Sequence, residues 1–239
     1  MQQNYSILAK YYDRFTQNDC DYESWSQYLY SVAKSHGVRE VVDVACGTGK
    51  MTKLLADKGL SVVGVDQSAE MLTVARTKCR ARLVQQDMRK LSLPHAVDMA
   101  TCVNDGVNYL KPCELTPFFT AVAANLKSGA PFVFDVSSPY KLSQIVGNNV
   151  FYWDDDKETL LWNNSQHTDS VEMNLTLFIQ NSGGAYDRFD EHHTQFIHSP
   201  SEIKQALVNA GFDTVEVSSD YGKPLTDTSL RITFYAKKK

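Results

Sequence analysis

Two periods of apolar residues alternate through the first 137 positions of the chain. Val38 to Val44 is a β-branched run that predicts a strand, and Met51, Leu54 and Leu55 at helical spacing predict a helix stopped by Gly59. Ser61 to Asp66 predicts a second strand, after which Ser68 can cap a helix carrying Met71, Leu72 and Ala75 on one side. Ala81 to Gln86 and Val97 to Val103 predict two more strands. Leu115, Phe118, Phe119, Val122 and Leu126 form an i, i+3, i+4, i+7 stripe closed by Gly129, and Pro131 to Val136 follows as a buried strand. Strand–helix units repeated in this way imply a parallel sheet covered on both faces.

The pattern changes after Lys141. Val171, Met173, Leu175, Leu177 and Ile179 alternate with mostly polar neighbours, so this strand buries one face. Asn181 to Gly184 is a turn signal, and Ala185 to Ile197 can return antiparallel. Val150 to Trp153 and Thr159 to Trp162 add two shorter strands, giving an antiparallel β insertion over 148–198. Ser199 with Glu202 forms a capping box, Pro200 occupies the first helical position and Gly211 ends that helix. Phe212 to Ser219 and Leu230 to Ala236 supply two final strands. With no linker-like composition around the insertion, 1–239 reads as a single α/β domain.

Composition narrows the function classes. A net charge of −4 gives no electrostatic reason to expect nucleic acid as the main partner. Five cysteines without a Cys-x-x-Cys pair argue against both a disulfide framework and a zinc site. No apolar stretch approaches a membrane span, and the polar start at residues 1–4 does not resemble a signal peptide, so a reduced, cytoplasmic setting is expected.

The most informative stretch is Val41-Val42-Asp43-Val44-Ala45-Cys46-Gly47-Thr48-Gly49, a strand running into a small-residue loop that opens a helix. A triphosphate-binding loop fails on spacing, because Val44 and Met51 stand where Gly and Ser or Thr are required. A dinucleotide fingerprint lacks its third glycine, replaced by Thr52, and would set Asp43 near a pyrophosphate. A nucleoside ligand without phosphates remains, and the cationic S-adenosylmethionine tolerates acidic neighbours. Asp66 ends the next strand, where a carboxylate can accept from both ribose hydroxyls. Asp87-Met88 ends the third, where a carboxylate and a backbone N–H can meet the adenine edge. Alone, the glycines are equally a tight turn and each aspartate a solvated strand end. Their joint order at successive strand ends favours the nucleoside.

These residues resemble the class I S-adenosylmethionine-dependent methyltransferases. Asp43 to Gly49 looks like the first motif of that family, with Ala45 where glycine is more usual. Val65 to Leu72 resembles its ribose-binding motif and Gln86 to Arg89 its adenine-binding one. Lys10-Tyr11-Tyr12-Asp13, Asn104 to Leu110 and Leu230 to Phe234 are similar to a bacterial subgroup with a β insertion, which includes amino-sugar N-methyltransferases. The resemblance implies a Rossmann-like sheet of seven strands, mostly parallel, with the last antiparallel and helices on both faces. It implies S-adenosylmethionine as cofactor, held by Tyr12, Asp43, Ala45, Gly47, Gly49, Asp66, Gln67, Asp87, Met88, Val103 and Asn104.

Methyl transfer needs a nucleophile placed in line with the S–CH3 bond and water kept out, and no acid–base residue is strictly required. Tyr12 is a candidate lid over the methyl group or a core aromatic. Asp105 and Asn108 face the expected acceptor position or cap their loop. His192 is a candidate base, while its neighbour His193 points to the opposite face of a strand, which rules out a paired metal site. Arg231 binds an acidic substrate group or pairs with a carboxylate inside the sheet. The expected activity is methyl transfer to a small molecule. The alternatives are a non-catalytic S-adenosylmethionine-binding protein and an RNA methyltransferase. The insertion is expected to serve as a substrate lid or, because it is rich in aromatics, as a homodimer interface.

Overall fold

The computed structural model describes residues 7–17 and 19–239; the polar start at residues 1–4 lies outside the described residues. Two helices, α1 (Leu8–Phe15) and α2 (Tyr22–Ser35), precede an alternating series of β1 (Glu40–Val44), α3 (Lys50–Asp57), β2 (Ser61–Asp66), α4 (Ala69–Lys78), β3 (Arg82–Gln85), β4 (Met99–Cys102), α5 (Leu115–Ala124) and β5 (Pro131–Ser137). Four strands follow: β6 (Val150–Asp155), β7 (Glu158–Gln166), β8 (Ser170–Gln180) and β9 (Tyr186–Phe196). The chain closes with α6 (Pro200–Asn209), β10 (Phe212–Ser219) and β11 (Arg231–Lys238).

The main sheet has seven strands in the order β10-β11-β5-β4-β1-β2-β3. Strands β3, β2, β1, β4 and β5 are mutually parallel, and β11 runs antiparallel to both β5 and β10. This is a Rossmann-like architecture: the alternating periods predict its parallel strands, and the family resemblance implies the sheet of seven with an antiparallel last strand. The central strands β1, β4 and β5 bury both faces, so their side chains divide by parity. Val42, Val44, Ala100, Phe132 and Phe134 pack under Phe118, Phe119 of α5 and Ile203, Leu207 of α6. Val41, Met99 and Val133 pack on the other side, against Trp25 and Leu29 of α2 and Met51 and Leu55 of α3. The strand order reverses between β1 and β4, and in open α/β sheets the crevice at such a point receives the ligand.

The predicted elements are present with ends shifted by a few residues. The periodicity does not announce α2, whose buried stripe of Tyr22, Trp25, Ser26, Leu29 and Ala33 is diluted by polar atoms. Its start is nonetheless capped, since the Asp21 side chain accepts a hydrogen bond from the Ser24 N–H. The capping box at α6 forms as read: Ser199 accepts from the Glu202 N–H and the Glu202 side chain accepts from the Ser199 N–H.

The insertion forms a separate antiparallel sheet in the order β6-β7-β8-β9. Its inner face is apolar and covered within the same chain. Leu160, Leu175, Leu177, Trp153, Trp162 and Phe189 pack against Leu8, Tyr11, Tyr12 and Phe15 of α1. Val171 and Met173 pack on Leu142 and Val146 of a π-helical turn that follows β5. Trp153, Trp162 and Phe189, three of the insertion aromatics that suggested a dimer interface, therefore pack against α1. The outer face still exposes Val150 at 65% and Tyr152 at 78%.

Candidate active site

The loop after β1 turns sharply because three of its residues adopt left-handed backbone: Ala45 (φ 54°), Gly47 (φ 53°) and Gly49 (φ 75°). The two glycines do different work. A Cβ on Gly49 would stand 2.9 Å from the Ala75 Cβ, so this glycine lets the start of α3 pack against α4. A Cβ on Gly47 would meet nothing within 4 Å, because Gly47 borders open space. Ala45 takes a conformation that costs an L-residue roughly 1 kcal/mol. Asp43 lies behind the loop, fully buried, accepting from Thr52 Oγ1 at 2.6 Å and Thr101 Oγ1 at 2.8 Å. Burial pushes its carboxyl up to about 6, against the lowering effect of those two hydroxyls. Asp43 and Gly49, both expected at the cofactor, thus stand off the cavity wall and shape the loop from behind.

The cavity itself has a volume of about 560 Å³ and opens along the carboxyl ends of β1, β2, β3 and β4. It brings together Tyr12, Ala45, Gly47, Asp66, Gln67, Asp87, Met88, Val103 and Asn104, all expected from the sequence. Tyr22, Lys50, Gly106 and Tyr109 also line it, and the sequence reading did not single them out for this cavity. At the end of β2, Asp66 accepts from the Gly47 N–H at 2.8 Å and from the Ser68 N–H at 2.9 Å. Burial raises its pKa, and these backbone donors oppose the rise. After β3, Asp87 is held by the Arg89 guanidinium, with Nε at 2.9 Å, and these hydrogen bonds lower its pKa. The wall thus offers carboxylate acceptors beside apolar surface, a lining that suits a nucleoside carrying cationic groups and no phosphate.

Helix α1 roofs the cavity. Thr48 donates to Asp13 at 2.6 Å and Lys78 pairs with the other Asp13 oxygen, tying α1 to the loop and to α4. On its far side Arg14 pairs with Asp155 and Glu158, and the Leu8 N–H donates to Glu191 at 2.9 Å, tying α1 to the insertion. The Tyr12 hydroxyl accepts from Asn104 Nδ2 at 2.8 Å, and burial raises its pKa well above the usual phenol range.

Beyond β4, Asp105 accepts from Ser137 Oγ at 2.8 Å and from Gln195 Nε2 at 3.3 Å. Asn108 is completely buried and bonded to backbone: its amide donates to the carbonyls of Ser137 and Phe196, and its carbonyl accepts from the Ser137 N–H. That is the loop-capping alternative. His192 stands on the exposed outer face of β9, bonded to Asn174 at 2.5 Å, away from the cavity. A strand alternates its side chains, so Glu191, His193 and Gln195 take the buried inner face instead. His193 meets the edge of Tyr109, with ring centroids 6.0 Å apart. Arg231 pairs with Asp135 within the sheet, the second of its two expected roles. Among the described residues no group of three or more His, Cys, Asp or Glu is placed to hold a metal ion, and no helix is long and apolar enough to cross a membrane.

Comparison with known proteins agrees with this geometry. Residues 41–129 match the family model described as a methyltransferase domain. A protein of Geobacillus sp. strain WCH70, named only provisionally as a methyltransferase, is 33% identical over 98% of this chain and 99% of its own length. The crystal structure of an S-adenosylmethionine-dependent methyltransferase from Clostridium acetobutylicum superposes with a TM-score of 0.89 at 33% identity, covering 98% of both chains. An amino pentose methyltransferase from Micromonospora echinaspora, solved with S-adenosylmethionine bound, shares the fold with a TM-score of 0.77 at 18% identity, covering 100% of this chain and 99% of its own. The chain belongs to the S-adenosylmethionine-dependent methyltransferases. It is an enzyme of methyl transfer, and S-adenosylmethionine is its cofactor.

Proposed function

We propose that this enzyme methylates a small molecule held between the strand ends and the β insertion, with 148–198 acting as a substrate lid within a single 1–239 domain. The observation that carries this reading is the contact between insertion and strand ends. Gln195 of β9 reaches Asp105, and Asn108 holds the Phe196 carbonyl, so the insertion leans over the acceptor end of a cavity of small-ligand size. The carboxylates on the cavity wall and a net charge of −4 disfavour an RNA phosphate backbone there.

In this reading Asp66 accepts from the ribose hydroxyls, and Gly47 allows the cofactor close to the loop. Asp87 and Met88 meet the adenine edge, with Gln67, Ala45, Val103 and Asn104 completing the wall. Bound there, S-adenosylmethionine supplies a methyl group activated on its sulfonium. The chain's own residues orient and enclose. Tyr12 closes the roof and the insertion excludes water, while Asp105, between the wall residues Asn104 and Gly106 but not itself on the cavity lining, is the candidate base, a role worth roughly 10²–10⁴-fold where the acceptor needs it. Free cysteines Cys20, Cys46, Cys79, Cys102 and Cys113 are consistent with a reduced, cytoplasmic setting. A homodimer through the insertion would use its outer face, where Val150, Tyr152 and Leu161 are exposed.

Production of S-adenosylhomocysteine, measured against panels of amines, hydroxyl compounds, carboxylates and bulk RNA, tests the proposal. Turnover with a small-molecule panel and none with RNA is expected. Turnover with RNA alone would overturn it.

A further inference from the structure

Strand β5 reads Phe132-Val133-Phe134-Asp135-Val136, a carboxylate in an otherwise apolar and fully buried run. Asp135 does not line the cavity, yet it accepts four hydrogen bonds. Two come from the backbone N–H groups of Asn104 at 2.7 Å and Asp105 at 2.8 Å. The others come from the Tyr221 hydroxyl and Arg231 Nη1. Asn104 and Asp105 both hold left-handed backbone, at φ 62° and 54°, which non-glycine residues adopt at a cost. Asp135 therefore clamps a left-handed turn at the point where the strand order reverses. A buried lone carboxylate would be costly, and Arg231 neutralises it while its own guanidinium lies 4.5 Å over the Trp25 ring.

The second arm of Arg231 sets a direction. Its Nη2 donates to Asn104 Oδ1 at 3.1 Å, and Cys20 Sγ donates to the same oxygen. A guanidinium can only donate, so the Asn104 oxygen must face it and the Asn104 NH2 must face the other way. That NH2 is what donates to the Tyr12 hydroxyl on the cavity roof.

We propose that the Asp135–Arg231 pair is a positioning device that fixes the Asn104 amide and, through it, latches Tyr12 so that α1 stays closed over the cofactor. This rests on the cavity being the cofactor's seat. The chain of bonds runs from a carboxylate within the sheet to a hydroxyl on the cavity, and each donor and acceptor role along it is forced by the one before. Neither member of the pair touches ligand; both act on the rate at which ligand escapes.

Arg231→Lys keeps the buried charge but lacks the planar fork, so it cannot serve Asp135 and Asn104 together. Dissociation of S-adenosylhomocysteine, followed by stopped-flow displacement, should accelerate by about tenfold, the scale of one lost hydrogen bond, with the association rate unchanged. Tyr12→Phe should give a similar acceleration. The double variant should dissociate no faster than either single one, because both break the same latch. A merely structural Arg231 would lower the melting temperature and leave dissociation unchanged, or give multiplying effects in the double variant; either result overturns the inference. If Arg231→Lys does not fold, Asp135→Asn combined with Arg231→Gln leaves no buried charge unpaired and should show the same acceleration, and a wild-type rate would again overturn it. Failure of the wild type to bind S-adenosylhomocysteine at all would instead refute the underlying assignment of the cavity.

Discussion

The Asp66 carboxylate reaches from the end of β2 to the Gly47 backbone N–H, 2.8 Å away and 19 residues earlier in the chain. One side chain thereby joins the glycine loop of β1 to the acidic end of β2, and its other oxygen holds the Ser68 N–H at the start of α4. Loss of the carboxylate should loosen the loop as well as remove an acceptor for the ribose. Asp66→Ala is expected to weaken S-adenosylhomocysteine binding roughly 10–100-fold, the scale of one or two hydrogen bonds to a charged group. Equilibrium titration of the variant checks this, and unchanged affinity would exclude Asp66 from the site.

Ala45 sits in left-handed backbone where the family's first motif more usually has glycine. Ala45→Gly should relieve that strain and stabilise the fold by about 0.5–1 kcal/mol, raising the melting temperature by about 1–4 °C for a domain of this size. Cofactor affinity should be kept. A lower melting temperature would show that the Ala45 methyl packs to more effect than its backbone conformation costs.

Asp43 gives a pH dependence. Its folded pKa is raised to about 6 from a usual 3.8, chiefly by burial. Between these values the folded chain holds a proton that the unfolded chain releases. Its contribution is therefore fully present below pH 3.8 and is lost as pH rises to about 6. Asp43→Asn removes this titration. Relative to that variant, the wild type should lose on the order of 2–3 kcal/mol between pH 4 and pH 7 in urea unfolding. Parallel profiles would contradict the assignment.

Asn108 and His192 separate a loop tie from a surface residue. Asn108→Ala strands the buried Ser137 N–H and two carbonyls, so a loss of roughly 2–4 kcal/mol is expected in denaturant unfolding. His192→Ala should change stability by no more than about 0.5 kcal/mol and leave cofactor affinity as it was. A large effect of His192→Ala on cofactor affinity would place it at the site after all.

Much of this was legible from residues alone, and the failures have physical causes. The parallel sheet announced itself because strands buried on both faces are continuous apolar runs, and the glycine loop with Asp66 and Asp87 lay at successive strand ends. Asp43 and Gly49 look like ligand contacts in sequence because they flank the loop; only packing against Thr52, Thr101 and Ala75 shows that they shape it from behind. His192 and His193 were known to point apart, but a strand pattern does not say which of its faces is covered. Packing from other elements decides that: α1 covers Glu191 through the Leu8 N–H, and Tyr109 meets His193. Asp135 gives a further signal, a charge in the middle of a buried strand, whose partners Asn104, Asp105, Tyr221 and Arg231 come together only in the folded chain.

Calorimetric titration of S-adenosylhomocysteine into wild type and Gly47→Val tests most directly whether the cavity at the strand ends is the cofactor's seat. The added side chain would project from the Gly47 position into open space that the cofactor is expected to fill. Saturable one-to-one binding by the wild type is expected, with none by Gly47→Val while that variant still unfolds cooperatively. Wild-type affinity in folded Gly47→Val would contradict the account.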